Sequence, residues 1–395
     1  MRTAFLFLAV TGLLLAGPAL AQDTHDYAAQ RIDALLTREY DHKMISSGQN
    51  FPAVNMRREQ RGDLVLLLRE GLPLSSIREH FGWSQAHMQQ LLDELVSADL
   101  VRRSETGGYI PTLMVMSLGD VARHMPVPDV LVREAAQLIV RHLPEVRSRY
   151  SAVEGFLHVP FDAASLLVLS DVLLDNWQIN GVERGFLNAK RPLRAGSRYY
   201  YSIQERTPSD TREAFGIYGN QYRHYGPFTV GVYGNRRVNN ELNFIDLGGE
   251  ELESLFGTKP GDVGAFKEEL LNHLVAAARD PDVSMPPRFK AGLAALGWLE
   301  GELIRVPLLD TEGRAALSAM ASLVTDDLLA LLEHYRPEVT KAYEASPYAR
   351  EITFEEYFMW WYHLFYTDVT DRLIFRGHIA MPAAGITTYL LVPDA

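Results

Sequence analysis

The sequence predicts a helix-rich α+β protein in which two helical repeat units flank a central antiparallel β segment, and three observations lead there. Apolar residues recur at helical spacing between capping signals through most of the chain. A Pro-Glu-Val-x-x-x-Tyr segment occurs twice, at Pro144-Glu145-Val146 with Tyr150 and at Pro337-Glu338-Val339 with Tyr343. The composition between the two copies turns to Tyr, Gly, Asn and Arg, as strands and tight turns require.

The N-terminus reads as a secretory signal peptide over residues 1–21. Arg2 supplies the charged start, residues 4–17 the apolar stretch, and Ala19-Leu20-Ala21 the small-residue cleavage signature. That apolar stretch is shorter than the roughly 20 residues needed to cross a bilayer. The expected product is periplasmic or secreted, without stable membrane insertion after cleavage. The chain has no cysteine, so its stability rests on an apolar core and not on disulfides or thiolate-bound metal. With 47% hydrophobic residues, such a core is within reach.

The formal charge is -12, and losing Arg2 with the signal makes the balance one unit more acidic. An acidic surface repels nucleic acid and anionic headgroups. A nucleic-acid partner is therefore not expected.

After a lead-in helix within residues 22–58, where Ile32, Leu35, Leu36 and Tyr40 share a helical face, residues 63–70 read as a helix broken by Gly71-Leu72-Pro73. Ser76-x-x-Glu79 reads as a capping box for a short second helix, which Gly82 ends. Ser84 caps a longer third helix with Met88, Leu91, Leu92, Leu95, Val96 and Leu100 on one face. Leu100-Val101-Arg102-Arg103 and Tyr109-Ile110-Pro111 then form two short strands around a Gly107-Gly108 turn. This order, over residues 59–112, resembles the winged helix-turn-helix family. The resemblance implies DNA binding through the polar face of the third helix. Here that helix carries no Lys or Arg between Trp83 and Leu100, and it does carry Asp93, Glu94 and Asp99. A packing scaffold or protein-binding module is the expected use.

The repeat extends outward from its tyrosines. Each is followed eleven residues later by a Phe-acid pair, Phe161-Asp162 and Phe354-Glu355, and later by Arg184-Gly185 with Ala195-Gly196 or Arg376-Gly377 with Ala384-Gly385. Val101 with Ile110-Pro111 is answered by Leu299 with Val306-Pro307. The expected units are residues 59–206 and 264–395, with a β-rich insertion at 207–263. The second unit keeps a helix and wing after Phe289. Each Pro-Glu-Val segment reads as a helix start or turn.

In the centre, Tyr199-Tyr200-Tyr201 opens one strand, residues 228–233 form a second, and Gly234-Asn235-Arg236 turns into a third over 238–245. The expected recognition surface comprises Tyr218, Tyr222, His224, Tyr225, Arg236 and Arg237. Half-buried cross-strand tyrosines are the ordinary alternative. His363 and Asp368, on a helix with Glu355, Glu356 and Asp371, are the catalytic candidates. Thr353-x-x-Glu356 accounts for Glu356 as a capping box, and the aromatic residues around His363 favour a hydrogen-bonded core histidine. Met114, Met116, His124 and Met125 are the residue types of a copper site, but Leu113 and Val115 beside the first two favour core packing. No metal or other cofactor is expected.

The expected function is that of an exported, non-enzymatic binding or scaffold protein with a protein or glycan partner. The alternatives are a periplasmic hydrolase with a His/carboxylate site between the halves, and a winged-helix DNA-binding regulator.

Overall fold

The structure is a computed structural model that describes residues 18–206, 217–235, 243–280, 282–382 and 384–394. It is a mixed α/β fold, 54% helical and 16% strand. The chain enters through α1 (Pro18–Leu36) and β1 (Glu39–Ser46), followed by α2 (Arg61–Arg69), α3 (Leu74–His80) and α4 (Gln85–Ser97). Then come the antiparallel pair β2 (Val101–Arg103) and β3 (Tyr109–Pro111), β4 (Met114–Met116), α5 (Leu118–His124) and the long α6 (Asp129–Tyr150). A 3-10 turn at Glu154–Phe156 leads to α7 (Phe161–Leu166), which runs on as a π-helical segment, Leu167–Val172. α8 (Ile179–Val182), a second π segment (Glu183–Leu187), β5 (Leu193–Arg194) and β6 (Ser197–Arg206) follow.

The second half starts with the hairpin β7 (Gly219–Tyr225) and β8 (Phe228–Gly234). Next are α9 (Gly249–Phe256), α10 (Val263–Arg279), α11 (Pro287–Ala295), the pair β9 (Leu299–Glu300) and β10 (Leu303–Ile304), and β11 (Leu308–Leu309). α12 (Thr311–Glu344), a 3-10 turn at Pro347–Arg350, α13 (Phe354–Phe375) and β12 (Ile386–Leu391) close the chain. By length and composition α12 could cross a bilayer. Here it lies antiparallel along α6, tied by His142 Nε2 to Asp327 Oδ2 at 3.2 Å and Tyr335 Oη to Glu134 Oε2 at 3.4 Å.

Two mixed sheets divide the molecule into three cores. β6 pairs antiparallel with β1 and parallel with β4, and β12 pairs antiparallel with β8 and parallel with β11. Because side chains alternate along a strand, each sheet faces two cores at once. Tyr199, Tyr201 and Ile203 of β6 meet α2 and α4 residues such as Leu64, Leu67 and Leu91, while Tyr200 points to the central core. Val230 and Val232 of β8 pack on Leu270, Leu274 and Phe289, while Tyr233 and Tyr389 face the centre. The central core is helical, built on α6, α7, α12 and α13 with Trp360, Trp361, Tyr362 and Phe365 wholly enclosed.

Several sequence expectations need correction. Tyr40 is in β1, so the lead-in segment holds a strand as well as a helix, recruited by pairing with β6. The tyrosine-rich centre does not project as one antiparallel sheet, since β6 and the β7–β8 hairpin belong to different sheets, both with parallel pairs. The third central strand falls mainly on residues outside those described, and its described end, Phe244 to Asp246, is a turn. Ser76 lies inside α3, which Pro73 caps. Pro144 and Pro337 sit inside α6 and α12, not at helix starts. Proline inside a helix loses a hydrogen bond and clashes with the preceding turn, so packing of these long helices outweighs that local cost.

The helix–helix connections reach across the molecule. The 3-10 turn at Glu154–Phe156 packs on β11, and a Cβ added to Gly155 would lie 2.0 Å from the Leu308 carbonyl oxygen. The turn at Pro347–Arg350 packs on β4, where Tyr348 Oη donates to the Val115 carbonyl at 2.9 Å. Gly155→Ala is expected to cost about 2 kcal/mol or more in urea unfolding, since backbone is hard to displace. An unchanged midpoint would mean the contact is not close.

Candidate functional site

The candidate site grows from two acids that the chain places inside an apolar helix. Residues 166–174 are apolar apart from Ser170 and Asp171, and Asp175 follows one turn later. Both carboxyls are buried, Asp171 fully and Asp175 at 4% exposure. Isolated buried charge is costly, so such groups need partners or a proton. Asp171 lies in the π-helical stretch and Asp175 just past its end, where Asp175 N donates to the Ser170 carbonyl at 3.0 Å. Single π turns of this kind recur at functional sites.

A hydrogen-bonded chain runs from Asp171 to the surface. Asn220 Nδ2 donates to Asp171 Oδ1 at 2.6 Å, and Tyr389 Oη donates to Asn220 Oδ1 at 2.6 Å. The Tyr389 and Tyr222 hydroxyl oxygens are 2.9 Å apart, and Asn176 Nδ2 donates to Tyr222 Oη at 3.0 Å. With its proton given to Asn220, Tyr389 accepts from Tyr222, so the chain has one consistent direction. Tyr222 is 42% exposed at the sheet edge, yet its hydroxyl is turned inward. Asp171 Oδ2 has no hydrogen-bond partner among the described residues.

Asp175 lies near Tyr366 and His363. His363 Nδ1 donates to the Met359 carbonyl at 2.6 Å, which leaves Nε2 as an acceptor 4.0 Å from Asp175 Oδ1. Burial holds the His363 imidazole neutral, its pKa lowered to about 4. Burial also raises Asp175 to about 7, opposed by its Tyr366 hydrogen bond and the Lys43 charge. Asp171 is pushed well above the usual carboxylate range by burial and by Asp175 beside it. Near neutral pH the pair therefore holds at least one proton, as two close buried acids must.

The residues expected at the recognition surface separate. Tyr222 and His224 are exposed, with His224 Nδ1 2.8 Å from Thr229 Oγ1. Tyr218 is buried and donates to Asp371 Oδ1 at 3.0 Å, and Tyr225 is buried against Phe244. Arg236 and Arg237 lie outside the described residues. Tyr218 and Tyr225 are core because their rings find apolar partners on the inner faces of the sheet.

His363 and Asp368 do not converge, since the histidine is enclosed by Trp360 and Tyr366 while Asp368 is on the exposed side of α13. Glu356 is capped by Thr353 as expected, but its own side chain instead pairs with Arg194 and accepts from Tyr201 N at 3.2 Å. Met114, Met116 and Met125 are core residues, and the His124 carbonyl accepts from Tyr357. Among the described residues no three His, Asp or Glu side chains form a metal-holding group.

Asp171, Asp175, Asn220 and Tyr389 were not singled out by sequence reasoning. The signal was there in part, as two acids one turn apart in an otherwise apolar run. No family model, curated protein or solved structure matches this chain.

Proposed function

We propose that this is an exported, non-enzymatic binding protein, built from two copies of one winged-helix-like unit, that recognises a protein or glycan partner on the surface around Tyr222. The duplication is supported by the equivalence of the two sheets, each with an antiparallel and a parallel neighbour in the same order. It is supported again by the repeated tyrosines, since Tyr150 Oη donates to the Val159 carbonyl and Tyr343 Oη to that of Ile352, nine residues on in both. With those tyrosines aligned, Glu134 corresponds to Asp327 and His142 to Tyr335. The contacts His142–Asp327 and Tyr335–Glu134 are then one contact made twice about a pseudo-twofold axis.

Where the halves differ points to where function was added. β8 answers β1, β12 answers β6 and β11 answers β4, which leaves β7 in one sheet and the two-residue β5 in the other without a counterpart. β7 carries Asn220 and Tyr222 and forms the sheet edge next to the buried acids. The observation that carries the reading is Tyr222 itself, an exposed ring whose hydroxyl is fixed by two hydrogen bonds. Such a ring offers contact area with its ordering cost already met.

The α4 surface favours no nucleic acid, because its exposed Asp93 pairs with Arg103 at 3.0 Å and the neighbouring Arg102 donates to the Arg350 carbonyl at 2.6 Å. A hydrolase built on His363 and Asp368 is disfavoured by their separation and by the enclosure of the histidine.

The test is affinity capture from a periplasmic extract with the mature chain. Tyr222→Ala is expected to lower capture at least tenfold, the size of a central aromatic contact worth about 2 kcal/mol. Tyr222→Phe keeps the ring but frees it from Asn176 and Tyr389, and an intermediate loss is expected. Equal capture by all three proteins would remove this surface from consideration.

A further inference from the structure

On the far side of the first sheet lies a second feature, unrelated to Tyr222. A cavity of about 400 Å³ is lined by Arg31, Arg38, Arg69 and Arg123 with Glu70, Asp120 and Ser117. The four guanidinium groups come from α1, the turn after it, the last turn of α2 and α5. Two carboxylates of the lining face four cations, and Glu205 and Glu351 engage Arg38 and Arg69 as well.

The partners explain some of these arginines and leave others available. Arg31 Nη2 is 2.6 Å from Glu70 Oε2, and Arg38 leans away onto Glu205 at 3.1 Å, each about two fifths exposed. Arg69 forms the floor with Nε on Glu351 Oε2 at 2.8 Å, while its Nη2 has no hydrogen-bond partner and stands 3.6 Å from Asp120. Arg123 is exposed, and no ion pair or hydrogen bond engages it among the described residues. Counting Glu205 and Glu351, four carboxylates match the four cations in number, but none of them engages Arg123, and Arg69 Nη2 keeps an unused donor.

We propose that this cavity binds the phosphate group of a small ligand. Guanidinium forks match tetrahedral oxyanions with paired, charge-assisted hydrogen bonds, which lysine or a neutral polar wall does not provide. The cavity is wide enough for a diphosphate, and an occupant would join α1, α2 and α5. Binding then stabilises the folded chain by mass action.

The test uses sodium pyrophosphate as the probe, read by thermal unfolding and by calorimetric titration of the mature chain at low ionic strength. A dose-dependent rise in melting temperature is expected. Arg123→Glu is expected to weaken binding roughly tenfold or more, by turning the free cation into an anion. Lys190→Glu makes the same charge change on an exposed residue elsewhere and is expected to leave binding intact. Arg38→Gln serves as a second variant should Arg123→Glu fail to fold. Phosphatidylglycerol-containing vesicles form a parallel arm: pelleting that Arg123→Glu abolishes assigns the phosphate to a lipid headgroup, and a response to pyrophosphate alone assigns it to a soluble ligand. The proposal is overturned by no response in either arm, or by equal losses in Arg123→Glu and Lys190→Glu.

Discussion

Glu356→Ala is expected to remove about 3–5 kcal/mol of folding stability, because it strands Arg194 as an unpaired charge in the interior. Arg194 is 4% exposed and Glu356 1%, and their side chains pair directly. The same guanidinium donates to the Tyr199 carbonyl at 2.8 Å and to that of Thr112, while Glu356 accepts from Tyr201 N. One ion pair thus ties β6, the end of β3 and α13 together across the boundary between the halves. Burial raises the Glu356 pKa and the Arg194 charge opposes it, so the carboxylate depends on its partner to stay ionised. Arg194→Ala is expected to cost a similar amount, and the double variant less than the two single losses combined, as contacting residues are not additive. Urea unfolding of the four proteins measures this. Strictly additive losses would show that the two side chains stabilise the fold independently.

What could be read from the sequence follows from how local each feature is. α2, α4 and the β2–β3 pair were legible because apolar period, caps and turn glycines lie within a few residues of each other, and Ser84 does accept from His87 N at 3.1 Å. The tyrosine repeat was legible as spacing. β1 and β7 were not, since both are mixed in polarity and are strands only because β6 and β8 pair with them. Pro144 and Pro337 misled for the related reason that long-range packing overrides a local breaker. At the candidate site, Tyr222 was visible as an aromatic in a turn-rich segment, whereas Asp171 and Asp175 acquire meaning only once Asn220, Tyr366 and Tyr389 arrive from distant parts of the chain.

The same buried acids yield the second large effect, a change in how stability responds to pH. Asp175 titrates near the usual 3.8 when unfolded and at about 7 when folded, so the folded state holds a proton that the unfolded state has released. Its stabilising share is complete below about pH 4 and is lost as pH rises to about 7, a loss on the order of 4 kcal/mol at about 1.4 per pH unit. Glu351, raised to about 7 by burial, has the same sign. His363 and His42, both lowered to about 4 by burial, have the opposite sign, because the unfolded imidazoles take up protons first as pH falls below about 6.5. Asp171, raised by burial and by Asp175, has that first sign too, so three acids outweigh two histidines and the wild type is expected to lose stability across this window. Asp175→Asn removes one acid slope and relieves part of the rise of Asp171, whose larger cause, burial, stays. The variant is expected to show a flatter profile between about pH 4 and 7 and to exceed the wild type by several kcal/mol above that. Urea midpoints across this range provide the measurement, and a profile parallel to the wild type would mean that Asp175 is already ionised at neutral pH inside the folded chain.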